Sequence, residues 1–128
     1  MFGDLQEELR AVELALEDWV EALRRRSADR WWSSMKVYEH RFGAYVEGPV
    51  CFCFEISGPA DALILDADVY VDPPPSAPPT DAQWLVFSLP ETEHASARSA
   101  VTALATAVAA LREESERREP TPEAWLPT

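Results

Sequence analysis

Two segments of this chain repeat with a strict period of two. Val50, Phe52, Phe54 and Ile56 alternate with Cys51, Cys53 and Glu55. Leu63, Leu65, Ala67, Val69 and Val71 alternate with Ile64, Asp66, Asp68, Tyr70 and Asp72. Successive side chains on a strand point to opposite faces, so each segment has one apolar and one polar side. That pattern predicts antiparallel strands with one dry and one wet face.

The flanking segments predict the rest of the domain. Leu5, Leu9, Val12, Leu16, Trp19 and Leu23 follow four-three spacing, the stripe of an amphipathic helix. Asp4 with Glu7 reads as an N-cap with its capping-box partner, and Arg24, Arg25 and Arg26 favour the negative end of the helix dipole. Met35 to Val46 reads as one strand with Gly43 as a bulge, and Gln83 to Leu89 reads as a last strand stopped by Pro90. Gly48-Pro49 and Ser57-Gly58-Pro59 mark turns, and the run Pro73 to Pro79 reads as a stiff connecting loop. A second helix is predicted from about Glu93 to Arg118, with Val101, Leu104, Val108 and Leu111 as its core stripe and Pro120 ending it.

The predicted fold is therefore α+β: an N-terminal helix, a four-stranded antiparallel meander and a C-terminal helix, with both helices on one face of the sheet. Residues 1–119 form a single domain, and 120–128 are a Pro-rich tail in which Trp125 and Leu126 either fold back or meet a partner. Trp31 and Trp32, adjacent at a strand start, must point to opposite faces, one under a helix and one free to anchor a partner.

Charge narrows function. The net charge is −12, and residues 31–92 hold 9 acids against 2 bases. An acidic sheet between more balanced helices suits a basic partner and disfavours nucleic acid and anionic membranes. The first eight residues lack the basic and apolar regions of a signal peptide, and the Ala-rich stretch Ser99–Leu111 falls short of the ~20 residues a membrane span needs. Cys51 and Cys53 lie roughly 7 Å apart on one strand face, too far to bridge without distortion. A reduced, cytoplasmic protein is expected.

No catalytic constellation emerges. Asp66-Ala-Asp68 looks like the Asp-x-Asp element of glycosyltransferases, but the chain has neither a Gly-rich phosphate loop nor room for a nucleotide-binding domain. Two carboxylates along a flat strand do not close around a cation. Cys51-Phe-Cys53 is not a Cys-x-x-Cys knuckle, and His40 and His94 lie 54 positions apart. No enzyme activity, cofactor or metal is expected.

Tyr45-Val-Glu-Gly48, the Ala62–Val71 strand and Trp84-Leu-Val-Phe-Ser-Leu-Pro90 carry a resemblance over residues 4–118. In architecture and charge the chain is similar to small immunity proteins of bacterial polymorphic-toxin systems, most of all those of the TriTu type. The resemblance implies a cytosolic protein that binds a toxin domain and blocks its active site. The expected contact residues are Asp66, Asp68, Tyr70 and Asp72, with Glu55 from the neighbouring strand and Trp32 as an anchor. The alternatives are a chaperone or adaptor for a secreted effector, a metal-dependent enzyme using Asp66 and Asp68, and a homodimer formed through the first helix.

Overall fold

A computed structural model describes residues 1–77 and 82–127. The elements run α1 (Gln6–Arg26), β1 (Trp32–Val37), β2 (Phe42–Glu47), β3 (Val50–Ser57), β4 (Leu63–Val71), β5 (Trp84–Ser88), β6 (Thr92–His94) and α2 (Ala97–Glu116). The fold is α+β with an antiparallel sheet in the order β1-β2-β3-β4-β5. β6 pairs with the other half of the β4 edge that β5 uses.

Among the described residues the sheet has six strands where four were expected, for two local reasons. The segment read as one strand from Met35 to Val46 is a hairpin. It reverses over Tyr38–Arg41, where the Tyr38 N–H donates to the Arg41 carbonyl at 2.9 Å. Gly43 is no bulge, since it pairs in register with Lys36 and Glu55. The second addition comes at Pro90, which has no N–H to give to a ladder. β5 stops there, Leu89 N–H still reaches the Ala67 carbonyl at 2.9 Å, and the chain rejoins β4 as β6.

The helix ends also differ from expectation. Asp4 does not cap α1; Leu5 holds that position without a side-chain bond, and Phe2–Asp4 form a short 3-10 turn. Phe2 is fully buried with its ring 5.9 Å from Phe42. Burying such a ring yields ~1.5–3 kcal/mol against ~1 for a cap, so the apolar contact sets the geometry. Helix α2 begins at Ala97 rather than Glu93. Residues 92–94 are committed to β6, and the Ser96 hydroxyl accepts from Ser99 N–H at 3.1 Å as the N-cap.

The alternation on β3 and β4 resolves as read. Val50, Phe52, Phe54, Ile56, Leu63, Leu65, Ala67, Val69 and Val71 are buried, while their intervening neighbours are only half-buried. The buried set joins one cluster with Leu9, Val12, Leu16, Trp19, Val20 and Leu23 of α1 and Val101, Leu104, Val108 and Leu111 of α2. Trp19 packs on Phe52 and Phe54 at 4.7 and 6.3 Å between ring centroids, and its indole N–H donates to Ser115 of α2 at 3.2 Å. Arg98–Glu8 and Arg112–Asp18 ion pairs join the two helices at their rims.

The tail folds back. Trp125 is buried edge-on against Phe52 and Phe87, with the Arg118 guanidinium 4.1 Å above its ring. Of the Pro73–Pro79 run, Ala77 N–H closes a turn on the Pro74 carbonyl at 2.9 Å; Pro78 and Pro79 lie outside the described residues. Trp31 is the buried member of its pair, and its ring fills the space where a side chain on Gly48 would stand. No described helix is long and apolar enough to cross a membrane.

Leu104→Ala should destabilise the fold by ~2–5 kcal/mol and Trp125→Ala by ~3–5 kcal/mol, each read as a lower urea midpoint at unchanged slope. Leu14→Ala, on the exposed side of α1, should stay within about 0.5 kcal/mol. A silent Trp125→Ala would mean that the tail is not part of the core.

Candidate functional site: the outer face of the sheet

The face away from the core is built by register. Tyr45 pairs with Cys53 and Cys53 with Asp68; Gly43 pairs with Glu55 and Glu55 with Asp66; Cys51 pairs with Tyr70, and Tyr70 with Leu85. Because paired residues share a face, Glu55, Asp66, Asp68 and Tyr70 stand together across β3 and β4. Strand spacing of ~4.8 Å makes them direct neighbours.

The remaining expected residues sit further off. Asp72 lies just past the end of β4, where its carboxylate accepts from Gln83 at 3.4 Å. Trp32 pairs with Glu47 and so shares the outer face, but it stands on β1, three strands from Asp66 and Tyr70. It is exposed, with the Arg30 guanidinium 5.3 Å from its ring. The structure thus joins Glu55, Asp66, Asp68 and Tyr70 and sets Trp32 and Asp72 apart.

Sequence reasoning missed Glu91, Ser88 and Tyr45. Ser88 pairs with Asp68 and donates to it at 2.7 Å. Glu91 follows the break at Pro90 and comes within hydrogen-bonding reach of Asp66. That bond, with the Asp66 charge next, holds the Glu91 carboxyl above the usual carboxylate range. A carboxylate beside a second carboxylate is harder to ionise, which is the cause of the rise. Starting the second helix at about Glu93 hid this contact; the signal available was Pro90 followed by Thr92-Glu93-His94, which fits a short edge strand as well as a helix start.

Tyr45 lies over Gly43, its ring occupying the space a Cβ there would need, and its hydroxyl donates to Glu55 at 3.3 Å. The Lys36 ammonium stands 5.6 Å from the Tyr45 ring centroid, and Arg41 lies 3.9 Å from Glu55. The face is therefore polarised. Cations gather at β1 and β2, and carboxylates that form no ion pair among the described residues gather at β4 and the β5–β6 break. Burial and the neighbouring carboxylates push the Tyr45 and Tyr70 phenols up. Burial first, then the charges of Cys51 and Glu55, pushes the Cys53 thiol up to about 12, which keeps it a neutral, unreactive side chain.

Among the described residues no group of three or more His, Cys, Asp or Glu could hold a metal ion. His94, expected in the first helical turn, lies in β6, with one ring nitrogen 2.7 Å from the Thr92 hydroxyl and the other 2.9 Å from that of Ser99. These bonds tie β6 to the start of α2. What the outer face offers chemically is a rigid array of acceptors for cationic donors.

No known protein family, curated protein or solved structure matches the chain. The site's properties follow from its geometry alone. Glu91, with a raised folded-state pKa, favours the fold below the ordinary glutamate range and loses that contribution as pH rises through its own titration. Asp18 and Glu114, held low chiefly by hydrogen bonds from Arg112 and Arg118, act in the opposite sense and lose theirs as pH falls. Glu91→Gln should therefore raise the thermal midpoint at neutral pH, with the gain vanishing once the pH falls below the glutamate range. An equal shift at both pH values would show that repulsion from Asp66 does not raise the Glu91 carboxyl.

Proposed function

We propose that this protein is a binding module without chemistry of its own, which neutralises a protein partner by presenting the Glu55, Asp66, Asp68 and Glu91 face to a basic surface. The observation that carries the reading is the cross-strand pairing of Glu55 with Asp66, two residues from Asp68 on the same outer face. Carboxylates held as cross-strand neighbours on a rigid sheet, with Lys36 placed over Tyr45 and Arg41 beside Glu55, are a standing electrostatic cost. A guanidinium or ammonium from a partner would relieve it. The reading takes both helices to cover the same sheet face, as the contacts of Trp19 with Phe52, Phe54 and Ser115 support. That leaves the acidic face free.

The partner class that suits this face best is a toxin domain with a basic cleft, as the resemblance to immunity proteins of polymorphic-toxin systems implies. Carboxylates on a preformed strand pair can occupy such a cleft in place of phosphate, and charge complementarity would speed encounter. A cytoplasmic setting goes with this reading. A second reading, a chaperone holding an extended apolar segment, would use the groove that Leu65, Ala67, Leu89, Pro90 and Ala107 line beside α2. Its binding would depend little on salt.

The test is to look for a toxin domain encoded beside this protein's reading frame and, with that domain purified, to measure association; a neighbourhood without one counts against the reading. The double substitution Asp66→Asn and Asp68→Asn should slow association on the order of ten-fold at low salt, flatten its salt dependence and leave thermal unfolding intact. Unchanged rates would place the interface elsewhere.

A further inference from the structure

The edge of the sheet opposite the acidic cluster is open. Among the described residues β1 pairs with β2 on one side and with no strand on the other. Since Tyr38 and Arg41 form a hydrogen-bonded pair, the alternation of an antiparallel ladder makes 36–43, 34–45 and 32–47 the same kind. Ser33, Met35 and Val37 then turn their N–H and C=O groups outward. An unpaired edge is commonly guarded by a lysine. Here Lys36 is folded over the Tyr45 ring and leaves the edge bare.

Two further observations converge on this edge. Trp32, Val37 and Tyr38 are 41, 46 and 58% exposed, three of the six large apolar side chains most open to solvent. Leu14, at 48%, lies one helical turn beyond Arg10, which lines the same side of α1. Between α1 and β1 runs a groove of about 340 Å³ walled by Phe2, Leu9, Met35 and Val37 and rimmed by Arg10 and Glu13. The space next to Met35 that an added strand would enter is therefore apolar and open.

We propose that β1 is the interface of a two-fold symmetric dimer, in which the β1 strands of two copies pair antiparallel and join the two sheets into one. The register follows from the outward groups. A two-fold axis at Met35 sets Met35 opposite Met35 of the second copy and Ser33 opposite Val37 of the second copy, so that all three residues bond through their free edges. On the outer face the same register sets Trp32 beside Tyr38 of the second copy, an aromatic cross-strand pair that covers the two most exposed rings of this edge. On the inner face the Met35 side chains fill the two grooves. Charge agrees, because Arg30 precedes the strand and Glu39 follows it, and the antiparallel arrangement brings the two ends together.

The other sheet edge does not fit a second copy. β5 shifts register opposite Val69 and Tyr70, breaks at Pro90 and adjoins Asp72, Glu91 and Glu93. Symmetric pairing there would set acid against acid. A contact in which each copy uses the same edge closes at two chains and leaves both acidic faces free.

Sedimentation equilibrium of the full chain tests this. The wild type should show a mass twice 14.3 kDa that falls toward 14.3 kDa on dilution. Met35→Pro, which removes an outward N–H and no bond to β2, should halve the mass, as should Val37→Lys at an exposed position. Hydrogen exchange on the wild type adds a measurement that needs no variant: the amides of Ser33, Met35 and Val37 should be protected at high concentration and lose protection on dilution. Asp66→Asn with Asp68→Asn should leave the mass unchanged, so the dimer and the acidic face can fail separately. A 14.3 kDa mass at every concentration, assembly beyond two chains, a dimer that persists in folded Met35→Pro and Val37→Lys, or unprotected Ser33, Met35 and Val37 amides in the dimer overturns the proposal.

Discussion

The fold turns on Trp19. Its ring packs tilted against Phe52 and edge-on against Phe54 at the centre of the sheet, and its indole N–H reaches Ser115 near the end of α2. One side chain thus fixes the first helix, the middle strand and the last helix relative to each other. Ser115 is itself anchored, donating to the Arg112 carbonyl at 2.7 Å, so the polar tip of Trp19 is satisfied without water. A buried indole N–H left unpaired would cost ~1–3 kcal/mol, which makes the bond a positional constraint as well as a stabilising one. Trp125 extends the same cluster, reaching Phe52 from the far side, and explains why a Pro-rich tail belongs to the core.

The outer face inherits its geometry from that arrangement. Because Phe52, Phe54, Leu65, Ala67 and Val69 are held inward, Glu55, Asp66, Asp68 and Tyr70 have no choice but to face out. Rigid strands therefore carry the acids, and the carboxylates cannot easily spread apart to lower their repulsion. Among the described residues, the cations of this face lie at the β1–β2 end: Lys36 is stacked on Tyr45 and Arg41 is near Glu55. The sheet is electrostatically lopsided, with a bare acidic end and a near-neutral edge. These two regions are the ones proposed for different contacts, the first for a basic partner and the second for a second copy.

Much of the core and half of the site could be read from residue order alone. The two-residue period of 50–56 and 63–71 set which side chains are buried, and with them the faces of Glu55, Asp66, Asp68 and Tyr70. The four-three spacing of Leu5 to Leu23 set the buried stripe of α1. These patterns are local, and a single shift of register would expose an entire apolar face.

Tertiary structure decided the rest. Whether 35–46 is one strand or two depends on Tyr38–Arg41 reversing, a turn with no Gly or Pro to announce it. Whether Thr92-Glu93-His94 starts a helix or adds to β4 depends on the free edge that β5 vacates at Pro90, which no residue near 92 reveals. The same long-range pairing brings Glu91 to Asp66 across 25 positions, and decides that Trp31 is buried against Gly48 while Trp32 faces solvent. Periodicity determines which way a side chain points on its own strand. Which strand lies beside it is settled only when distant segments compete for the same edge.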